Sequence, residues 1–204
     1  MPKLAQEQID QRMRLVEDAA IVLFKTRGFH GVGLRQIAQE AGVSLGNIYN
    51  YYKTKEQLFD SILERLHEEF TSPDSPLGRF IQRSSFPDEL EGLGRAIGAM
   101  TKAHDDYLTL IYVDLTEFGG RHVRPFYKGL PKRFAAALEG RVDPDAFAEG
   151  IDPVMAFTMV YMQFFNFFIV EKMIGAKGHM GLGERDALVA MAAVFRRGLR
   201  PEAS

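Results

Sequence analysis

Hydrophobic side chains recur every three or four residues along most of the chain. The first such stretch carries Met13, Val16, Ala20, Leu23 and Phe24. This is the spacing of the buried face of an amphipathic helix. Gly28 follows Lys25 and Arg27, and a glycine after a cationic last turn is typical of a helix end. We therefore predict one long helix that ends at Gly28.

Two short helices and a longer one are predicted next. The apolar spacing of residues 34–41 stops at Gly42, and Ser44 is a favourable N-cap for a third helix over residues 45–51. The sequence Thr-Lys-Glu-Gln at residues 54–57 is a capping box. It opens a fourth helix, which two prolines close.

The rest of the chain is predicted to be helical. Helix starts fall at Pro87 or Asp88, at Asp105 or Asp106, at Pro125, at Asp152 with Pro153, and at Gly183 or Glu184. No run alternates with period two between hairpin turns, as a strand would. We predict an all-α fold of about nine helices. A three-helix domain should span residues 1–54 and a larger helical domain residues 55–204, of which 55–70 form a connecting helix.

The stretch from Val154 to Ile174 is the most apolar in the chain, with 16 apolar residues in 21. Its length alone would permit a membrane span. However, Gln163 and Asn166 interrupt it and no second such segment occurs. We interpret it as a core helix that is buried on all sides, and we expect no membrane partner.

Composition narrows the class of protein. The 204 residues carry a formal net charge of −2 and include no cysteine, which excludes disulfide frameworks, thiolate metal sites and cysteine nucleophiles. The start of the chain is polar and mixed in charge, unlike a secretory signal. We therefore expect a cytoplasmic protein.

The charge is distributed unevenly. Residues 1–55 contain 8 Lys and Arg against 5 Asp and Glu, a charge of +3, whereas residues 56–204 contain 17 against 22, a charge of −5. The basic amino-terminal part suits contact with phosphates, and the acidic remainder should be repelled by them.

The sequence contains no recognisable catalytic or metal-binding motif. The five histidines are scattered, with no pair at an i, i+4 spacing, and no glycine pair completes a dinucleotide fingerprint. Neither a Walker A sequence nor a G-x-S-x-G elbow occurs. We predict that the protein is not an enzyme and uses no cofactor or metal.

The second and third predicted helices have the form of a helix-turn-helix. Only Ile48 and Tyr52 lie on an inward spacing, so small and polar side chains of the third helix face outward, as suits entry into a major groove. Asn47 would bond an adenine edge, Leu45 would meet a thymine methyl, and Gly46 would let the backbone approach DNA closely. Small helical bundles that bind no DNA share this form.

The residues of this region also carry a family resemblance. Gly28-Phe29 and the run LRQIAQEAGVSLGNIYNYYKTKEQL, from Leu34 to Leu58, strongly resemble the N-terminal domain of TetR/AcrR-type transcriptional regulators. The resemblance is dense over about residues 9–66 and implies binding to a double-stranded DNA operator. The predicted DNA-binding residues are Arg35, Ser44, Leu45, Gly46, Asn47, Tyr49, Asn50, Tyr51 and Lys55.

The resemblance assigns a role to several of these residues. It implies that Tyr49, Tyr51 and Lys55 contact phosphates and that residues 44–47 meet bases or backbone. A cation in the first turn of a helix opposes the helix dipole, so Lys55 beside free amide groups would suit a phosphate.

Two positions depart from the family pattern. Gly33 stands where a threonine or serine usually caps the second helix and bonds a phosphate, so that contact is lost or passes to Arg35 or a backbone amide. Asn47 stands where a threonine is common. The operator should therefore differ from those of threonine-bearing relatives.

For the remaining two thirds of the chain the resemblance implies a homodimer with a small-molecule effector. The predicted effector pocket comprises His104, Tyr107, Ile111, Phe118, Tyr127, Phe157, Tyr161, Gln163 and Asn166. The predicted dimer interface comprises Phe164, Phe168, Leu188, Met191, Ala192, Phe195 and Leu199. The aromatic content favours an apolar or aromatic effector.

These observations together predict a ligand-responsive DNA-binding regulator, most simply a repressor. One alternative is a protein that keeps the helical bundle but binds no DNA, either a small-molecule carrier or an enzyme. A second alternative is a helical protein–protein adaptor. Neither of these two classes requires the phosphate-contacting residues of the first 55 positions.

Overall fold

The computed structural model describes residues 3–83 and 86–200, and all regular structure in these ranges is helical. The α-helices are α1 (Lys3–Arg27), α2 (Leu34–Glu40), α3 (Leu45–Tyr51), α4 (Lys55–Thr71), α5 (Pro76–Arg83), α6 (Leu90–Ala103), α7 (Asp105–Phe118), α8 (Arg124–Leu138), α9 (Pro153–Phe168) and α10 (Glu184–Leu199). A 3-10 turn covers Pro144–Ala146 and a π-helical turn covers Ile169–Met173. The predicted all-α fold class is confirmed.

The predicted helix ends in the first part of the chain are confirmed. Gly28 and Gly42 follow α1 and α2 with φ of 69° and 66°, a left-handed conformation that glycine adopts without a Cβ clash. Ser44 caps α3 as expected, because its Oγ accepts a hydrogen bond from Asn47 N at 3.2 Å.

Helix α5 was not predicted from the sequence. We interpreted Pro73 and Pro76 as the end of the preceding helix, whereas Pro76 is the first residue of a new one. Proline at the first helical position loses no hydrogen bond, since that amide has no partner within the helix. Leu77 provides the buried side chain of this short helix.

The chain forms two compact units. The first comprises residues 1–69 and 106–124, and the second comprises residues 70–105 and 125–204. The division does not coincide with a boundary at residues 54 and 55, because most of α4 and of α7 belongs with the amino-terminal helices.

Aromatic rings form the core of the first unit. Phe29 lies with its ring centroid 5.5 Å from Phe24, 5.4 Å from Phe59 and 4.6 Å from Phe118. The rings meet at steep or tilted angles, as aromatic pairs prefer. Residues from α1, α4 and α7 are thereby joined around the turn that leads into α2.

In the second unit α6 packs against α5, α9 and α10. Gly94 and Gly98 lie one turn apart on α6 and admit the large side chains of α9. A Cβ at Gly98 would stand 2.4 Å from the Phe168 ring, and one at Gly94 would stand 3.0 Å from Phe164. The absence of these two side chains sets how closely α6 and α9 approach.

The prediction that the helix after Asp152 is buried on all sides is wrong. Met155, Met159 and Met162 of α9 are 51%, 60% and 38% exposed. Gln163 and Asn166 are exposed as well. Pro153–Met173 is long and apolar enough to cross a membrane by length and composition, and half of its most apolar window is buried inside the fold. Its other side is an uncovered apolar face.

Candidate nucleic-acid interface

Helix α3 presents the polar surface that the sequence predicted. Tyr49 is 46% exposed, Ser44, Gly46 and Asn50 are exposed, and Asn47 is half-buried. Leu45 and Tyr51 are also half-buried, and Arg35 on α2 is exposed. An asparagine amide in such a position offers both a donor and an acceptor to a base edge.

The opposite side of α3 is anchored in the first unit. Ile48 is fully buried, and Tyr52, the C-cap residue, is buried beside it. The Tyr52 hydroxyl donates to Oε1 of Glu17 on α1 at 2.9 Å. Burial, with the Glu17 carboxylate as a smaller cause, raises the pKa of Tyr52 to about 12, so the phenol remains a donor at neutral pH.

Glu17 is a buried carboxylate with three donors. Besides Tyr52 it accepts hydrogen bonds from Ser61 Oγ at 3.0 Å and from Arg65 Nε at 2.6 Å, both on α4. Arg65 also pairs with Glu69 at 3.1 Å. Because a buried charge is tolerated only when paired and hydrogen-bonded, this cluster fixes α1, α4 and the end of α3 relative to one another.

The start of α2 is capped without a hydroxyl. Gln36 Oε1 accepts a hydrogen bond from Gly33 N at 2.8 Å, which forms the half of a capping box that needs no N-cap side chain. Gly33 thus lacks the phosphate-bonding hydroxyl typical of the family. The exposed guanidinium of Arg35 lies two residues further on.

Lys55 points inward in the structure. Its Nζ donates to the carbonyl oxygens of Phe29 and Val32, both at 2.6 Å, and lies 4.1 Å from the centroid of the Phe29 ring. Burial lowers the pKa of this ammonium, and the Glu117 carboxylate opposes that shift. The free protein therefore does not present Lys55 for a phosphate as we predicted.

The exposed cation at the start of α4 is Lys53, which the sequence interpretation passed over. Its Nζ bonds only loosely to Tyr49 O, at 3.3 Å. Its backbone N donates to Gln57 Oε1 at 2.8 Å, and Thr54 Oγ1 accepts from Gln57 N at 3.1 Å. In a regular capping box both hydrogen bonds involve the same N-cap residue. Here the side-chain acceptor is Thr54, whereas the backbone donor is the preceding residue, Lys53. In the sequence this cation could have been found as the lysine that directly precedes the capping residue Thr54.

The predicted effector residues are divided between the two units. Tyr107, Ile111 and Phe118 belong to the first unit, where Phe118 is part of the aromatic core. Tyr107 OH lies 2.8 Å from His67 Nδ1. Tyr127 and His104 belong to the second unit and are half-buried.

On α9, two of the predicted effector residues are core side chains and two face outward. Phe157 and Tyr161 pack on Phe134, with centroids 4.9 and 5.0 Å apart. The assignment of Gln163 and Asn166 as inward polar anchors is wrong, because both are exposed. An open groove of about 480 Å³ in the second unit is lined by a different set, Ala135, Ala136, Leu138, Glu139, Gly140, Val142, Pro153 and Val154.

The predicted dimer residues are also mostly core. The buried ones are Phe164, Phe168, Leu188, Met191, Ala192 and Leu199. Phe195 is half-buried, 6.0 Å from Phe164. The residues predicted from the sequence lie on the inward faces of α9 and α10. The exposed apolar side chains are Met155, Met159 and Met162 on α9 and Val189 and Val194 on α10.

Comparison with known proteins agrees with this geometry. The family model described as bacterial regulatory proteins, tetR family, matches residues 17–62. The HTH-type transcriptional regulator YfiR of Bacillus subtilis is 26% identical over 170 residues, covering 81% of this chain and 80% of that protein. RutR of Escherichia coli is 34% identical over 65 residues, or 32% of this chain and 31% of that protein.

Solved structures share the fold. The fatty acid degradation regulator FadR from Bacillus halodurans aligns with a TM-score of 0.63 at 18% identity, over 90% of this chain and 94% of that one. A transcriptional regulator from Aquifex aeolicus aligns with a TM-score of 0.62 at 18% identity, over 91% and 96%.

An outward polar face on α3, anchored by its buried side to α1 and α4, defines a helix-turn-helix DNA-binding regulator of transcription. The family model over residues 17–62, these relatives and the shared helical fold support a TetR-family transcriptional regulator.

Proposed function

We propose that the protein is a homodimeric repressor that binds a palindromic operator in the cytoplasm and leaves it when a small apolar or aromatic effector binds. The observation that carries this proposal is the polar face of α3 on a rigid base. Ile48 and Tyr52 hold the helix to the core, while Asn47, Tyr49 and Asn50 remain available to DNA. Because α3 is already held in place, it loses less conformational entropy when it enters a major groove.

The uncovered faces of α9 and α10 support the homodimer. Met155, Met159 and Met162 recur at spacings of four and three, so they lie along one stripe of α9. Val189 and Val194 add exposed apolar surface on α10, Val194 at 70%. A second copy would cover this face by two-fold symmetry. Two α3 helices would then enter successive major grooves about 34–36 Å apart.

Effector control follows from differential affinity. A ligand that binds more tightly to a dimer with wrongly spaced α3 helices shifts the population toward that state and lowers operator occupancy. The aromatic side chains of the second unit, such as Tyr127 and Phe126 with centroids 5.2 Å apart, favour an apolar or aromatic ligand.

Selection of bound sequences from a random DNA pool tests the proposal. We expect a palindromic motif with half-sites about one helical turn apart. Leu45→Glu, which places a carboxylate on the outward face of α3, should abolish binding. Leu115→Glu is the matched control, since it adds the same charge at an exposed position of α7, and it should bind normally. Recovery of no motif, or normal binding by Leu45→Glu, would contradict the proposal.

A further inference from the structure

The loop between α1 and α2, residues 28–33, is held by two charged side chains from distant parts of the sequence. Glu117, near the end of α7, accepts hydrogen bonds from Phe29 N at 2.8 Å and from His30 N at 2.6 Å, one on each carboxylate oxygen. Lys55, at the start of α4, donates to the carbonyl oxygens of Phe29 and Val32. The carboxylate thus accepts from two amide groups of the loop, and the ammonium donates to two of its carbonyl oxygens.

Gly28 makes room for this arrangement. A Cβ at this position would lie 2.3 Å from Glu117 Oε1, so any side chain would push the carboxylate away from the loop. The Glu117 side chain is only 20% exposed, and Phe29 between the two charged groups is buried. Hydrogen bonds between charged groups and amides in such a partly buried position are among the stronger ones in proteins.

The loop leads directly into the helix-turn-helix. Val32, whose carbonyl Lys55 binds, precedes the N-cap of α2 at Gly33. Helix α2 in turn packs against α1 and α3. The conformation of residues 28–33 therefore determines where α2 begins and how the pair α2 and α3 is presented.

We propose that Glu117 and Lys55 are positioning residues for operator binding. They touch neither base nor phosphate, and they act by holding the α1–α2 loop in the conformation that places α2 and α3. This inference rests on the proposed function, and it replaces the phosphate contact predicted for Lys55 with a contact inside the protein.

A first experiment compares Glu117→Gln with Asp106→Asn. Both remove one negative charge from α7, and Asp106 contacts only the α1 side chain Lys25 among the described ion pairs. We expect amide hydrogen exchange at Phe29 and His30 to accelerate by at least about tenfold in Glu117→Gln and to stay unchanged in Asp106→Asn. Operator affinity should fall about tenfold in Glu117→Gln alone, while affinity for random DNA stays unchanged.

A second experiment compares Lys55→Met with Lys53→Met by salt titration of operator binding. A lost phosphate contact flattens the slope of log K against log salt concentration by about one. We expect Lys55→Met to weaken operator binding with the wild-type slope, and Lys53→Met to reduce the slope.

The outcomes separate the two proposals. A slope reduced by one in Lys55→Met makes Lys55 a phosphate ligand and overturns its positioning role. Unchanged exchange at Phe29 and His30 in Glu117→Gln overturns the role of the carboxylate, even if a misfolded Lys55→Met gives no DNA data. If the wild-type protein selects no operator, the proposed function and the DNA role of the loop contacts fail together, while exchange still reports whether the contacts exist.

Discussion

Tyr52, at the end of α3, donates its phenolic hydrogen to Oε1 of Glu17 on α1 at a distance of 2.9 Å. This bond joins α3, the helix that we propose to enter DNA, to the longest helix of the first unit. Since Ser61 and Arg65 of α4 bind the same carboxylate, the position of α3 depends on one buried acid.

Replacing Tyr52 by phenylalanine should cost about 1 kcal/mol of folding free energy at neutral pH, the net value of one hydrogen bond. The raised pKa, about 12 against 10.0, favours the neutral phenol in the folded state. The contribution of this raised pKa to the free energy of unfolding is fully present below pH 10. It decreases by roughly 2 kcal/mol as the pH rises from 10 toward 12. Urea unfolding at pH 8, 10 and 11 should therefore show the advantage of wild type over Tyr52→Phe shrinking as the pH rises. The control Tyr49→Phe, at an exposed position, should change neither the free energy of unfolding at neutral pH nor its dependence on pH.

Replacing Asn47 by alanine should change which base is preferred at one position of each half-site. The lost amide contact is worth about 1–3 kcal/mol of discrimination. Selection from a random pool followed by competition binding measures the change. Glu149→Ala is the control, because this exposed polar side chain lies in the second unit and outside α9 and α10. An identical motif for Asn47→Ala and wild type would remove Asn47 from the base-contacting residues.

Replacing Met159 by glutamate should yield monomers. Met159 is 60% exposed in the single chain, so the new charge costs nothing in the monomer but would be desolvated without a partner in a dimer. Light scattering measures the molecular mass, and titration with operator DNA measures the binding affinity. Both the mass and the affinity should decrease in this variant. Leu115→Glu on α7 controls for the added charge. A dimer that survives both Met159→Glu and Val194→Glu would place the interface elsewhere.

Replacing Gly98 by alanine should destabilise the second unit by about 1–3 kcal/mol, the usual cost of overpacking. The new methyl group would stand 2.4 Å from the Phe168 ring. Gly129→Ala, in the interior of α8 with its nearest neighbouring atom at 3.7 Å, should instead stabilise by about 0.5–1 kcal/mol. Thermal unfolding of the two variants should shift in opposite directions. A stable Gly98→Ala would mean that α6 and α9 separate easily.

Helix ends and the outward face of α3 could be predicted because they depend on neighbouring residues. Gly28, Gly42 and Ser44 act within a turn of their own helices, and the spacing of Ile48 and Tyr52 decides which side of α3 is buried. These are local relations that a single sequence displays.

The direction of a long side chain depends on distant partners and could not be predicted in the same way. Lys55 has the sequence position of a phosphate ligand, but the carbonyl oxygens that it binds are 26 and 23 residues away. The two faces of α9 present the same difficulty. The helix has phenylalanine on one side and methionine on the other, and its outward side is marked in the sequence by Gln163 and Asn166 alone, whereas the packing of α6 shows directly which side is covered.

The contact of Glu117 with the α1–α2 loop bears on how the protein can be divided. Residues 1–54 contain all three helices of the DNA-binding motif, yet the carboxylate that binds Phe29 and His30 lies 88 and 87 residues further along the chain. A fragment truncated after α3 or α4 would keep the recognition surface and lose its support. Chimeric regulators that exchange DNA-binding heads should therefore transfer residues 106–124 together with the amino-terminal helices, or supply an equivalent acid at the same place.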